Sequence, residues 1–252
     1  MNAKSSAPKF SIITVCFNAM AVLPETVKSL RDQTYTNYEW VVIDGASTDG
    51  SAEWLQQQSP NIFLSERDKG IYDAMNKAVD RARGHYLFFL NAGDRFADAN
   101  VLFDAATALD SGTQPTDCLY GDVVYFGARG ERRKRFHWLT RQRLLFGDLC
   151  HQAAFVRRDM FEAFGKFDLS LRYNADFDWF IRIFHKGARL HYLHRDIAHF
   201  HDAGAHALAH EASEAERNRV RARYLPRLLW LIGHWALRIE LKLRRWRGQE
   251  IG

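Results

Sequence analysis

Residues 86–94 read YLFFLNAGD. The apolar run from Tyr86 to Leu90 stops at a turn of small residues that carries one carboxylate, Asp94. Four to eight apolar residues bounded by turn residues predict a strand buried on both faces. In open α/β sheets the ligand crevice lies beyond the carboxyl ends of the strands, so an acid one step past such a strand is placed to meet a metal or a sugar phosphate. The competing reading makes Asp94 a helix-opening residue for a helix over Ala97 to Leu109.

Working outward towards the N-terminus, SIITVCFN (Ser11 to Asn18) and EWVVIDG (Glu39 to Gly45) are β-branched runs that end in polar residues or glycine. Leu23 to Gln33 between them reads as a helix, which makes a βαβ unit. A turn at STDGS leads into a helix over Ala52 to Gln58, Asn61 to Ser65 forms a short strand, and Gly70 to Arg83 is a helix with Ile71, Met75 and Val79 at four-residue spacing. The alternation predicts a mostly parallel sheet with helices on both faces. Towards the C-terminus, Cys118 to Phe126 and Ala153 to Val156 read as strands, and Arg158 to Phe164 and Asp176 to His185 as helices. Ala128 to Arg143 is an exposed loop or hairpin. The pattern breaks at SGTQPT, within Asp110 to Pro115, the softest boundary in the chain.

A chain of 252 residues with 47% hydrophobic and 26% charged residues is an ordinary globular composition, enough for one large α/β domain or two small ones. Three cysteines, Cys16, Cys118 and Cys150, share no metal-ligand spacing and point to a reducing compartment. The first residues lack the basic, apolar and small-residue pattern of a secretory signal, so the expectation is a cytoplasmic protein. The net charge of +5 is unevenly placed: Arg217 to Arg247 holds 10 Lys and Arg against one Glu, and the rest of the chain carries 25 basic against 29 acidic residues.

Asp44, Asp68, Asp94 and the pair Asp176 and Asp178 all fall at expected strand ends or turns. Carboxylates gathered at one sheet edge suit divalent-metal and sugar-nucleotide chemistry, because Mg²⁺ and Mn²⁺ take oxygen ligands. Each could equally be a cap or a turn acid. After the first strand comes Asn18-Ala19-Met20-Ala21, with neither glycine nor lysine. That argues against dinucleotide-binding and phosphate-loop folds, and against a nucleotidyltransferase.

The segments SIITVCFN, VVIDGASTDGS, SERDKGIYDAMNKAVDRARGHYLFFLNAGD and YNADFDWFIR, in that order over about Phe10 to Arg182, resemble the inverting family 2 glycosyltransferases of the GT-A fold that build bacterial surface polysaccharides. The resemblance implies a catalytic domain over 1–216, with a donor half of about 10–110 and an acceptor half of about 111–216. It implies transfer of a sugar, with inversion, from a nucleoside diphosphate donor, by resemblance a UDP-sugar, to a glycan or lipid-linked acceptor. Asn18 and Asp44 would form the nucleotide pocket, and Asp68, Gly70 and Asn76 would lie against the nucleoside and donor sugar. Asn91, Ala92, Gly93 and Asp94 occupy the place of the metal motif, with Asp94 as the ligand of Mg²⁺ or Mn²⁺ and His201 a further candidate. Asp176 matches the catalytic base, Asp178 is its structural or acceptor-contacting neighbour, and His151 and Gln152 match a segment on the acceptor side. The motif here keeps a single acid, so the ion would depend on the diphosphate and waters for its other oxygens. A non-catalytic GT-A-like assembly partner is the alternative that this thinning favours and Asp176 opposes.

From 217 to 252 the chain reads as a basic amphipathic helical tail, broken near Pro226. Arg227, His234, Arg238 and Glu240 interrupt the apolar residues well before the roughly 20 that a spanning helix needs. Trp235 and Trp246 beside arginines suit a helix lying on an anionic membrane, through 217–247, on the inner face of the cell membrane. A helix packed on the domain or used for oligomerisation is the other reading. No nucleic-acid partner is expected, since the basic residues are mixed with large apolar ones.

Overall fold

The computed structural model describes residues 7–112, 115–126, 130–144, 149–201 and 210–224. Four parallel strands build the first half: β1 (Phe10–Cys16), β2 (Tyr38–Asp44), β3 (Ile62–Ser65) and β4 (Tyr86–Phe89). They are joined by α1 (Leu23–Arg31), α2 (Ser51–Gln57) and α3 (Ile71–Arg81), and lie in the order β3-β2-β1-β4. Alternate residues of β1 enter opposite cores, as a period of two requires. Ile13 and Val15 pack with Met75 and Val79 of α3, whereas Phe10 and Ile12 pack with Leu23 and Val27 of α1. The buried face of α3 is Tyr72, Met75, Ala78 and Val79. Ile71 had been expected there and is 44% exposed, because it is the first residue after Gly70 (φ 121°) and stands at the open end of the sheet.

After β4 the structure departs from the expected pattern. Asp94 does not open a helix: Arg95–Phe96 forms a short strand, β5, and α4 (Val101–Ser111) starts later, with Asn100 at its N-cap. The later elements are β6 (Cys118–Phe126), β7 (Arg132–Lys134), α5 (Arg141–Leu144), β8 (Ala154–Arg157), α6 (Asp159–Phe164), α7 (Ala175–His185), β9 (Leu190–His201) and α8 (His210–Tyr224). β7 pairs antiparallel with β6, and Phe136 and Leu139, in the stretch expected to be exposed, are buried. The sheet continues β4-β8-β6-β9-β5, so its second half is mixed. β8 runs antiparallel to both β4 and β6, β9 runs parallel to β6, and β5 runs antiparallel to β9. The two halves therefore share one sheet across the break at 110–115. Trp179 and Phe180 are core residues, 1% and 2% exposed, with Trp179 stacked on Phe161 at 4.1 Å between ring centroids.

Candidate active site

The ends of β1 and β2 form one rim of the site. Asn18 adopts a left-handed conformation (φ 48°), which turns the chain sharply after β1. Its Oδ1 accepts from Thr48 N at 2.9 Å and its own N–H donates to Ser47 Oγ at 2.8 Å. Ala19 N–H to Ser51 Oγ and Met20 N–H to Asp49 Oδ2, each 3.0 Å, tie the loops together further. Beneath them Asp44 is fully buried and accepts from Ser47 N at 3.0 Å, from the Ser47 hydroxyl, and from Ser65 Oγ at 2.6 Å. Burial pushes its carboxyl up, but the hydrogen bonds from Ser47, Ser65 and Cys16 outweigh it and hold the carboxyl below the usual range. Asp44 thus braces the rim, with its oxygens engaged by the protein. Gly45 leaves room for Asp68 and Phe17 to converge, since a Cβ there would sit 2.6 Å from Asp68 Oδ2 and 3.3 Å from Phe17 Cδ2. Asp68 Oδ1 in turn accepts from Gly70 N at 2.8 Å. Phe17 is 63% exposed at this rim, an aromatic side chain that sequence reasoning passed over. Its signal was its position, one residue past the end of a buried strand.

Asn76 does not join this group. Its Nδ2 donates to Phe167 O and its Oδ1 accepts from Phe167 N, both at 3.0 Å, in the buried interior. Both ends of the amide are spent on one backbone, so Asn76 is a strut under α3 and its assignment to the donor sugar is corrected.

The turn after β4 forms the centre. Asp94 N–H donates to Asn91 O at 2.9 Å and Ala92 N–H to Val15 O at 3.2 Å. Gly93, at φ 97°, donates its N–H to Thr26 Oγ1 at 2.9 Å, a conformation that favours glycine. The turn buries two side-chain oxygens without hydrogen-bond partners, Asn91 Oδ1 and Asp94 Oδ2. Asp94 is 3% exposed, and burial pushes its carboxyl up to about 7 against the opposing pull of His151 and Gln152.

A 3₁₀ turn over His151–Ala153 brings His151 and Gln152 against this centre. His151 Nε2 lies 2.9 Å from Asn91 Nδ2, and its Nδ1 lies 2.9 Å from Asp176 Oδ2. With the Asn91 amide assigned as donor, Nε2 accepts and Nδ1–H donates to the carboxylate. Asp176 Oδ1 accepts from the Tyr72 hydroxyl at 2.8 Å and from Phe177 N at 2.9 Å. The result is a continuous chain of contacts, Tyr72–Asp176–His151–Asn91, ending on the Asp94 turn. His151 and Gln152 are 8% and 4% exposed; His151 stands between Asn91 and Asp176, and the Gln152 side chain hydrogen-bonds the Asp94 carboxyl, so both are deeper than the acceptor-facing position expected for them. Tyr72 was missed because a tyrosine on an apolar helix stripe reads as core.

Asp178 is 2% exposed and braced by Arg182 Nη2 at 2.8 Å and by Arg223 Nη1 and Tyr224 Oη, each at 3.1 Å. Its carboxylate is thus buried and engaged by the protein's own side chains. His201 ends β9, and its side chain lies outside the described residues, as does all of His206. Among the described residues no group of three or more His, Cys, Asp or Glu is arranged to hold a metal ion.

The boundary expected at 216/217 cuts through α8. Arg217 Nε donates to Asn174 Oδ1 at 3.2 Å and its guanidinium lies 4.9 Å from the centre of the Phe177 ring. Arg221 and Arg223 pair with Glu214 and Asp168. The start of the basic tail is therefore packed on the domain through Arg217 and Arg221, with Arg219 and Arg223 exposed, whereas residues 225–252 lie outside the described ones. No described helix is long and apolar enough to cross a membrane.

Comparison with known proteins places this geometry in context. The family described as Glycosyl transferase family 2 matches residues 11–165. A PGL/p-HBAD biosynthesis glycosyltransferase of Mycobacterium tuberculosis is 37% identical over 209 residues, covering 79% of each chain. An uncharacterized glycosyltransferase of the same organism is 35% identical over 183 residues, covering 71% of this chain and 70% of the relative. Among solved structures, Staphylococcus aureus TarS 1–349 in complex with UDP superposes with a TM-score of 0.71 at 19% identity, covering 90% of this chain and 69% of that one. In a further structure of TarS 1–349 the chain covers 60% of that chain's length. Mannosyltransferase PcManGT from Pyrobaculum calidifontis, in complex with GDP-Man and Mn²⁺, has a TM-score of 0.65 at 19% identity, covering 88% of this chain and 66% of that one. These neighbours share the GT-A fold.

Proposed function

The chain belongs to glycosyl transferase family 2, and on that premise we propose that it moves a sugar from a UDP-sugar to a hydroxyl of a glycan or lipid-linked acceptor, with inversion, in cell-surface polysaccharide biosynthesis. The observation that carries the reading is the chain of contacts joining Asp176 to the Asp94 turn. It supports the reading because it links a carboxylate, through the His151 imidazole, to the turn where a donor diphosphate would lie. In this reading Asp176 takes the proton of the acceptor hydroxyl as that oxygen attacks the anomeric carbon, and the diphosphate leaves from the opposite side. Tyr72 and His151 fix the orientation of the carboxylate, and Asn18, Asp68 and Gly70 form the nucleotide side of the pocket.

The buried, unpartnered oxygens of Asn91 and Asp94 fit a hard divalent cation, which takes oxygen ligands. Two protein oxygens are few, so diphosphate oxygens and water would complete the set. Mg²⁺ or Mn²⁺, when bound there, supplies positive charge to the leaving diphosphate. TarS has been solved with UDP and with UDP-GlcNAc, and PcManGT with GDP-Man and Mn²⁺. The test is calorimetric titration with UDP and GDP, with and without Mn²⁺, followed by UDP release from a panel of UDP-sugars with aryl glycoside acceptors. Absence of nucleotide binding under every condition would overturn the assignment in favour of a non-catalytic partner.

Phe17 stands where it can cover a nucleobase face, beside Asn18 and Asp68. Base-on-aromatic stacking contributes about 1–3 kcal/mol. Phe17→Ala is expected to weaken UDP binding roughly tenfold at unchanged melting temperature, read by calorimetry and thermal unfolding.

Residues 225–247 retain the tryptophans and six of the ten basic residues of the tail. We assign the membrane contact to this stretch, on the inner face of the cell membrane. Truncation after Tyr224, which keeps α8 whole, is expected to abolish co-sedimentation with anionic vesicles while UDP affinity is retained. Unchanged sedimentation would remove the membrane role.

A further inference from the structure

The structure assigns to Glu216, on α8, the role of a positioning residue that holds the Asp176 carboxylate in register by clamping the loop ahead of it. This rests on the reading of Asp176 as proton acceptor. Glu216 is 3% exposed, and its carboxylate accepts from three consecutive backbone N–H groups. Arg172 N donates to Oε2, and Tyr173 N and Asn174 N donate to Oε1, all at 2.8 Å. Charge-assisted bonds of this kind are short and about twice as strong as neutral ones.

The clamped loop is directly coupled to the site. Asn174 is the N-cap residue of α7, and Asp176 lies in the first turn of that helix. Asn174 Nδ2 also donates to Ser213 O of α8 at 2.9 Å. On its other edge, Tyr173 O lies 2.9 Å from the same Tyr72 hydroxyl that meets Asp176 Oδ1. The loop is therefore strung between Glu216 and Tyr72, and a shift of residues 172–174 must move Asp176 with it. A misplacement of about 1 Å at a reacting group can cost on the order of 100-fold in rate.

Other residues also dock α8. Arg223 and Tyr224 hold Asp178, and Arg217 and Arg221 lie over Phe177. The hydrogen bonds of Glu216 fall instead on the loop, and mainly on its backbone. This helix, the loop it clamps and Asp176 all lie beyond residues 11–165, the part that the family model matches.

The experiment compares Glu216→Gln with Arg223→Ala, a change on the same helix that spares the clamp. Hydrogen exchange of the apo protein is expected to speed up roughly tenfold at Arg172 to Asn174 in Glu216→Gln, and not in Arg223→Ala. With the donor and acceptor chosen by the UDP-release panel, Glu216→Gln should lower kcat roughly tenfold with donor KM within about twofold. Placed in an Asp176→Asn background and read by single-turnover release of radiolabelled donor, it should lower the residual rate by less than about twofold, since its effect passes through the missing carboxylate. An equal fall in both backgrounds, or unchanged exchange at 172–174, would overturn the positioning role. Full turnover by Asp176→Asn alone would instead place the failure in the reading of Asp176 as base.

Discussion

Asp176→Asn is expected to lower kcat for sugar transfer about 1,000-fold, with the affinity for UDP unchanged within about twofold. A positioned general base contributes typically 10²–10⁴-fold, and the amide cannot accept the acceptor proton. The substitution keeps the volume of the side chain and one acceptor oxygen for Tyr72, so the fold should persist. Asp178→Asn, two residues along α7, is the natural contrast. Asp178 is 2% exposed and held by Arg182, Arg223 and Tyr224. Removing its charge leaves two guanidinium groups partly uncompensated, at a cost of about 3 kcal/mol in stability. Its kcat should stay within several-fold of the parent. UDP release and urea unfolding measured on both variants separate the roles, and the opposite pattern would mean that the two carboxylates exchange assignments.

Asp94→Asn is expected to make the metal-free protein more stable and sugar transfer much slower. Burial raises the Asp94 carboxyl to about 7 in the folded protein, whereas an unfolded aspartate titrates near 3.9. The folded state therefore favours the protonated acid. The stability associated with it is complete below about pH 4 and is lost as the pH rises through about 7. A shift of about three units corresponds to a penalty on the order of 4 kcal/mol at pH 8. Asparagine mimics the protonated acid, so in EDTA the variant should melt several degrees higher at pH 8, with the gain shrinking towards pH 5. In Mn²⁺ its transfer rate should fall by about 100-fold or more, because one of two buried oxygens suited to a cation is gone. Thermal unfolding at pH 5 and pH 8 in EDTA, paired with UDP release in Mn²⁺, reads both effects. A gain independent of pH would show that Asp94 is not the titrating group.

The amino-acid sequence by itself determined the parallel half of the sheet, the helices between its strands and the carboxylates at the strand ends. These are local properties: a β-branched run buries itself on both faces, a helix stripe repeats every three to four residues, and small residues end strands. Asp44, Asp68 and Asp94 at strand ends or turns follow from that pattern with no tertiary knowledge, whereas Asn18 entered through the family resemblance. The tertiary structure alone decided the partners. Asp94 is followed by β5 because Arg95 pairs with His199 of β9, far along the chain. Asn76 is a strut because Phe167 comes to it across 91 residues. His151 stands between Asn91 and Asp176, 60 and 25 residues away, and Glu216 reaches the loop 42 to 44 residues before it. No local period encodes such pairings, because each depends on which buried donors and acceptors remain unmatched once the sheet has closed, and burial leaves them no solvent to turn to.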